Sequence, residues 1–351
     1  MQKISREILI SRAAAALAEG KADRVLGWKK GEFSYDVTPA VFSDITSMEA
    51  DFVYDDFCGA NFSKYLVSET KKDGKVLVFL KPCDTYSFNQ LQTEHRIDRS
   101  KVYVVGIPCD GMIDVTKLRA SVEGLTCAAT DGDKVTVHTL FDGDRVFSRD
   151  ELLAERCINC KSRKNMAYDE LILEDGTVMS DPFDYKKYPE AGFAGKHGDV
   201  RENGRFDQVE ALERMTPDER YAFWHGELSR CIRCNACRDV CPACTCEKCV
   251  FDNADSGVEN KAAANSFEEK LFHVIRAFHV AGRCTDCGEC SRVCPQHIPL
   301  HLLNRKFIKD IDVLYGDYQA GESVGQRSPL TNYTTGDPEA ADAVERSHHD
   351  A

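Results

Sequence analysis

Cys231-Ile-Arg-Cys234-Asn-Ala-Cys237-Arg-Asp-Val-Cys241-Pro242 and Cys284-Thr-Asp-Cys287-Gly-Glu-Cys290-Ser-Arg-Val-Cys294-Pro295 share one spacing, C-x2-C-x2-C-x3-C-P. Thiolates three residues apart let a loop wrap around three corners of a cubane, and that spacing is the signature of cysteine runs that hold iron–sulfur clusters. Structural zinc takes four ligands, usually as two C-x2-C pairs. Two runs of four cysteines, each closed by Cys-Pro, fit zinc poorly. The sequence therefore predicts two [4Fe-4S] clusters and redox chemistry.

In two-cluster ferredoxins the fourth cysteine of each run ligates the other cluster. One cluster is thus expected on Cys231, Cys234, Cys237 and Cys294, the other on Cys284, Cys287, Cys290 and Cys241. The prolines stop each loop from running on as an undisturbed helix. The chain has 351 residues, 17 cysteines and a net charge of -13. Cysteines in odd number and metal-ligand spacing speak for a reducing compartment, hence a cytoplasmic location, and against a disulfide framework. The negative charge disfavours nucleic acid and anionic membranes as partners. No apolar run reaches the roughly 18 residues that span a bilayer. The stretch Ile8–Ala18 superficially resembles a signal peptide, but Glu7, Arg12 and Glu19 punctuate it at helical intervals and predict an amphipathic first helix.

The predicted fold is an α/β N-terminal domain with a mostly parallel sheet, followed by a mainly helical two-cluster ferredoxin domain. Residues 1–170 alternate helix and strand. A helix near Ser5–Ala18 ends at Gly20, and a strand follows around Arg24–Trp28. Lys75–Leu80 and Lys101–Ile107 are continuous apolar runs, as buried parallel strands are. Asp84 is expected to cap a helix to about Glu94, and another helix spans about Asp114 to Val122. Lys134–Leu140 alternates as an edge or hairpin strand would. Residues 171–225 are polar and read as a linker or docking arm. Residues 226–312 form the cluster module, with a helix over Ser266–Val280 marked by apolar positions 267, 271, 272, 275 and 278, and another from about Ile298. Residues 313–351 read as an acidic tail without a core of its own.

Four quieter cysteines form a second constellation. Cys83 follows the strand 75–80, Cys109 follows the strand 101–107, and Cys157 and Cys160 make a C-x2-C pair. Open α/β sheets bind ligands at the carboxyl ends of their strands, so these thiols either converge on a third [4Fe-4S] cluster or are ordinary structural cysteines. Lys81-Pro-Cys-Asp-Thr-Tyr86, Val102-Tyr-Val-Val-Gly-Ile-Pro-Cys-Asp-Gly111 and Cys157-Ile-Asn-Cys160 resemble the beta subunits of deazaflavin-dependent hydrogenases and formate dehydrogenases. The likeness spans roughly residues 10–170. It implies a [4Fe-4S] cluster on Cys83, Cys109, Cys157 and Cys160, with FAD in the same domain. Family members begin with a Gly-rich segment that contributes to the flavin site, and this chain starts almost directly at the first helix. Cys58-Gly59-Ala60-Asn61 is the one loop placed to touch a cofactor phosphate, with a helix cap as the competing role for Asn61.

Arg276-Ala-Phe-His279 and Ala281–Cys290 are similar to modules of heterodisulfide reductase, sulfhydrogenase and anaerobic sulfite reductase subunits, electron-wiring parts that name no substrate. Among the remaining thiols, Cys244, Cys246 and Cys249 either replace Cys241 as a ligand, tune a cluster by S–H bonds or are incidental. Cys58 and Cys127 are expected as buried small apolar groups. His279 and His297 lie near cluster cysteines and are read as packing or surface residues with a tuning role as the alternative. No Ser-His-Asp order, P-loop or Gly-x-Gly-x-x-Gly occurs, and no catalytic residue is assigned. These readings converge on an electron-transfer subunit of a cytoplasmic anaerobic oxidoreductase complex, working with other subunits and with ferredoxin or a flavoprotein. The alternatives are a flavin-containing catalytic subunit that reduces a deazaflavin or similar acceptor, and a non-catalytic scaffold or redox sensor.

Overall fold

A computed structural model describes residues 4–161, 163–180, 204–253 and 266–332. The chain divides at Arg205–Phe206 into two units. The first is mixed α/β and the second is helical.

The six strands of the main sheet are β1 (Arg24–Lys30), β2 (Val37–Phe42), β3 (Val76–Leu80), β4 (Val102–Gly106), and, after a separate hairpin sheet, β8 (Glu170–Ile172) and β9 (Val178–Met179). Their order is β2-β1-β3-β4-β8-β9. β1, β3, β4 and β8 run parallel, and β2 and β9 close the edges antiparallel. Every residue of β3, Val-Leu-Val-Phe-Leu, is fully buried. A strand covered on both faces has no polar face to alternate with, which is why it reads as an apolar run. Helix Arg6–Ala18 buries Leu9, Ile10, Ala13 and Ala16. Helix Pro82–Thr93 follows β3 directly.

Asp84 does not cap that helix from outside. The helix begins at Pro82, where proline's fixed φ suits the first turn, and Asp84 sits one turn inside, accepting from Lys81 N at 3.2 Å. Lys134–Thr139 (β6) is not an edge. It is the middle of a second, three-stranded antiparallel sheet between β5 (Leu125–Asp131) and β7 (Asp144–Ser148). It alternates because Val135 and Val137 face a small core with Ile113, Leu118 and Leu152 while its other face is polar.

The stretch 171–225 contributes β8 and β9 to the first unit's sheet and helices Asp207–Glu213 and Pro217–Ser229 to the second unit. Residues 181–203 of it lie outside the described residues. In the second unit, helices Pro217–Ser229, Ser266–Val280 and Leu300–Tyr315 pack side by side. Past residue 313 the chain still packs: Tyr318 and Ala320 are buried with Ile311, and Tyr318 Oη donates to Gly282 O at 2.8 Å. Residues 333–351 of the tail lie outside the described residues. Among the described residues no helix is long and apolar enough to cross a membrane.

Candidate metal centres

The two cysteine runs take one backbone path. Arg233 and Asn235 have φ of 54° and 63°, and the matching Asp286 and Gly288 have 55° and 68°. A four-residue helix follows each, Ala236–Asp239 and Glu289–Arg292. Alternation between right- and left-handed backbone turns successive N–H groups into a concavity that suits anions, as at iron–sulfur sites. Arg233 N donates to Cys231 Sγ at 3.3 Å, and the Asp286 amide does the same for Cys284.

Cys231, Cys234, Cys237 and Cys294 line one cavity with Phe272, His273, Ile298 and Leu300, about 330 Å³ of empty space partly open to solvent. The fourth thiol of this set thus comes from the other run. Cys290 is buried and Cys284 and Cys287 are half-buried, all three in the electrostatic reach of Cys241. Burial is the main cause that pushes the Cys287 and Cys290 thiols up to about 12, and Cys284 is raised as well. Without a cation these groups hold their protons. A bound metal deprotonates a coordinating thiol outright, so loading such a site releases protons. The thiols are spread around the site: among the described residues no three His, Cys, Asp or Glu side chains gather as ligands of a single ion. Asn304 Nδ2 lies 3.7 Å from Cys290 Sγ. A buried Arg305–Asp286 ion pair, 2.9 Å, braces the second run.

His279 and His297 are exposed. The histidine that faces the thiols is His273, which the sequence reading passed over. It is 2 % exposed, lines the Cys231 cavity, and neither ring nitrogen has a hydrogen-bond partner. Burial first, then the charges of Arg276 and Arg233, push it down to about 3, so the imidazole is neutral. Two orphaned nitrogens in a cavity of thiols suit a sulfur-rich group that accepts N–H bonds. Of the remaining thiols, Cys244 packs against the small core of Cys241, Ala243 and Val280, Cys249 is half-buried, and Cys246 is exposed.

In the first unit, adjacent parallel strands β3 and β4 place Cys83 and Cys109 at their carboxyl ends. Cys157 sits in helix Glu155–Ile158, where its sulfur accepts from Met112 N at 3.4 Å. Gly111, at φ 98°, lets the chain pass there: a Cβ would lie 3.3 Å from Cys157 Cβ. Cys109 acts electrostatically on Cys83, and Cys157 on Cys109. Burial, then Cys157, pushes Cys109 up to about 12, and burial raises Cys83. Cys160 is half-buried. Two buried cations attend these thiols. Lys81 Nζ pairs with Asp84 at 3.0 Å, donates to Ala60 O at 2.8 Å and lies 4.7 Å over Trp28. Lys161 Nζ lies 4.5 Å over Tyr86 with no hydrogen-bond partner. A buried, orphaned ammonium beside half-buried thiols suits thiolates bound to a cluster.

The loop read for flavin is turned to its own chain. Cys58 is fully buried and its sulfur accepts from Asp55 N at 3.3 Å. Gly59 O accepts from Arg156 Nη2 at 2.6 Å. Asn61 accepts from Ser63 N at 2.9 Å and donates to Ser87 Oγ at 3.1 Å, a local side-chain turn just ahead of the short helix Ser63–Tyr65, whose N-cap is Phe62. Cys127, expected as buried, is half-buried on β5, 3.3 Å from Ser34 Oγ.

A sheet with thiols at its strand ends, joined to helices that gather two cysteine runs, defines an iron–sulfur electron-transfer protein. Residues 227–298 match the family of 4Fe-4S dicluster domains. Over most of its length the chain is similar to two relatives. One is the F420-dependent formate dehydrogenase subunit beta of Methanocaldococcus jannaschii, 25% identical over 83% of this chain and 86% of that protein. The other is the F420-dependent formate dehydrogenase 1 subunit beta of Methanococcus maripaludis, 25% identical over 89% of this chain and 91% of that protein. A solved structure of the F420-reducing [NiFe] hydrogenase complex from Methanosarcina barkeri covers 64% of this chain and 86% of its own, at 15% identity and a TM-score of 0.37. The sequence relatives and the family match point to an iron–sulfur electron-transfer subunit of an oxidoreductase complex.

Proposed function

We propose that this chain is the electron-relaying subunit of a cytoplasmic, F420-linked formate-oxidising complex, with three [4Fe-4S] clusters. They are held by Cys231, Cys234, Cys237 and Cys294; by Cys284, Cys287, Cys290 and Cys241; and by Cys83, Cys109, Cys157 and Cys160. The observation that carries the reading is the cavity that Cys294 shares with three thiols of the other run. Bound clusters supply one-electron steps. The chain's own part is to keep the thiols out of water, present backbone amides to them and hold the two centres of the second unit close together. Its domains would be 1–170 as the beta-subunit-like unit, 226–312 as the two-cluster module, and 171–225 and 313–351 as segments that dock partner subunits.

Iron, acid-labile sulfide and flavin per chain, measured after purification without oxygen, test this. About twelve irons without flavin are expected. About twelve irons with one flavin would favour the alternative, a flavin-bearing catalytic subunit that reduces F420, an idea supported by the names of the relatives. About eight irons would remove the first unit's cluster and leave Cys83, Cys109, Cys157 and Cys160 as ordinary thiols.

A further inference from the structure

Helix Ser266–Val280 turns a cation toward the cysteines along with the apolar Phe272 and Val280. Arg276 is 3 % exposed. Its Nη2 donates to Cys237 O at 2.8 Å, and its Nε has no hydrogen-bond partner. Among the described residues no carboxylate pairs with it, and the strongest charges that would act on it once the thiols ionise are those of Cys241, Cys237, Cys244 and Cys290. A guanidinium cannot shed its charge, and an uncompensated buried charge is strongly unfavourable. It therefore needs anions, and the groups in reach are sulfur. Cys237 belongs to the cavity set, and Cys241 and Cys290 belong to the other set.

We propose that Arg276 is a counter-ion shared by the two centres of the second unit, a positioning residue that raises both reduction potentials together. The inference rests on the reading of those two sets as clusters. Reduction of a cluster adds one electron and one unit of negative charge. A fixed positive charge nearby favours that state, and does so more strongly where water is excluded. With one guanidinium between the two sets, an electron passing from one centre to the other stays in the field of the same cation.

The experiment uses the full chain purified without oxygen, with iron counted and each cluster followed by EPR in a redox titration. Arg276→Gln keeps a donor for Cys237 O and removes the charge, and Arg276→Lys keeps the charge. Expected for R276Q, at a fixed poise, is a fall of about tenfold in the reduced-to-oxidised ratio at both centres, a shift of about 59 mV for a one-electron couple. R276K should stay close to wild type. Loss of iron from both centres in R276Q, with R276K fully loaded, supports the same role, since the anionic clusters then need the cation to assemble. The proposal is overturned if R276Q keeps its iron and its midpoints, if one centre alone moves or empties, or if R276K fails as R276Q does. A wild-type chain without cluster signals overturns the functional reading itself, which iron analysis shows before any variant is made.

Discussion

Replacing Cys294 with serine should empty the site made by the first cysteine run, fifty residues and more away in sequence. The reason is the cavity, where Cys294 stands with Cys231, Cys234 and Cys237, while Cys290, only four residues earlier, does not line it and feels Cys241 and Cys284 before Cys237. Each cubane accounts for about four irons. Cys234→Ser and Cys294→Ser, each acting on the same centre, should cost about four irons alone and still about four when combined. Cys234→Ser with Cys241→Ser should cost about eight, because the two residues serve different centres. Non-additivity marks residues that act as a unit, and additivity marks independent ones. Iron per chain after anaerobic reconstitution reads this directly, and EPR of the reduced protein shows which signal has gone. A loss of about eight irons in the Cys234–Cys294 double variant, with about four in the Cys234–Cys241 double variant, would refute the crossed arrangement and leave each run closing on its own cluster.

Glu170 on β8 has a side chain only 4% exposed and accepts from Tyr103 Oη at 2.7 Å, Arg12 Nη2 at 2.5 Å and Lys21 Nζ at 3.3 Å. Glu170→Gln should cost about 1–2 kcal/mol in urea unfolding at pH 7, less than for a fully buried ion pair, because Arg12 and Lys21 are partly exposed to solvent. Burial raises this carboxyl, but Tyr103, Arg12 and Lys21 outweigh it and hold it below 4.5. Its contribution is present above 4.5 and lost as pH falls through the lowered folded value, so E170Q should flatten that part of the acid limb; an unchanged limb would count against it. At the repeated left-handed positions, Asn235→Gly and Gly288→Asn should leave the melting temperature nearly unchanged. Gly288→Val should cost about 1–2 kcal/mol, and equal melts for all three would contradict the shared backbone path.

The parts of the fold that were legible in the sequence are those with a single physical cause. β3 and β4 are buried on both faces, so composition alone marks them. Helix Arg6–Ala18 was set by its period. The three-stranded sheet was half missed because β5, Leu-Thr-Cys-Ala-Ala-Thr-Asp, and β7, Asp-Arg-Val-Phe-Ser, carry too few apolar residues to signal a strand. They hold together through β6, whose buried valines one strand cannot reveal as central or edge. Cysteine spacing marked the two runs but not their left-handed turns. Arg233 is not a residue that advertises such a backbone, and only superposing the two runs links it to Asp286.

Helix Ser266–Val280 shows why the surroundings of the thiols stayed hidden. Its apolar residues did predict a helix, yet Leu271, Val274 and Phe278 lie exposed on the described unit while His273 and Arg276 are buried. A rule that sends apolar residues inward assumes an apolar interior. Here part of the interior, beside the buried Phe272, Ala277 and Val280, is sulfur; in the proposed reading it would carry negative charge once it binds iron, and a cation and a neutral imidazole suit that part better than leucine. The first unit follows the same logic with Lys81 and Lys161 beside Cys83. A chain of net charge -13 thus buries three of its cations within reach of its cysteines. A buried lysine or arginine that lacks its own carboxylate is therefore a sign of a missing anion. In the reading proposed above, that anion at Arg276 and Lys161 is what the thiols would become on binding metal.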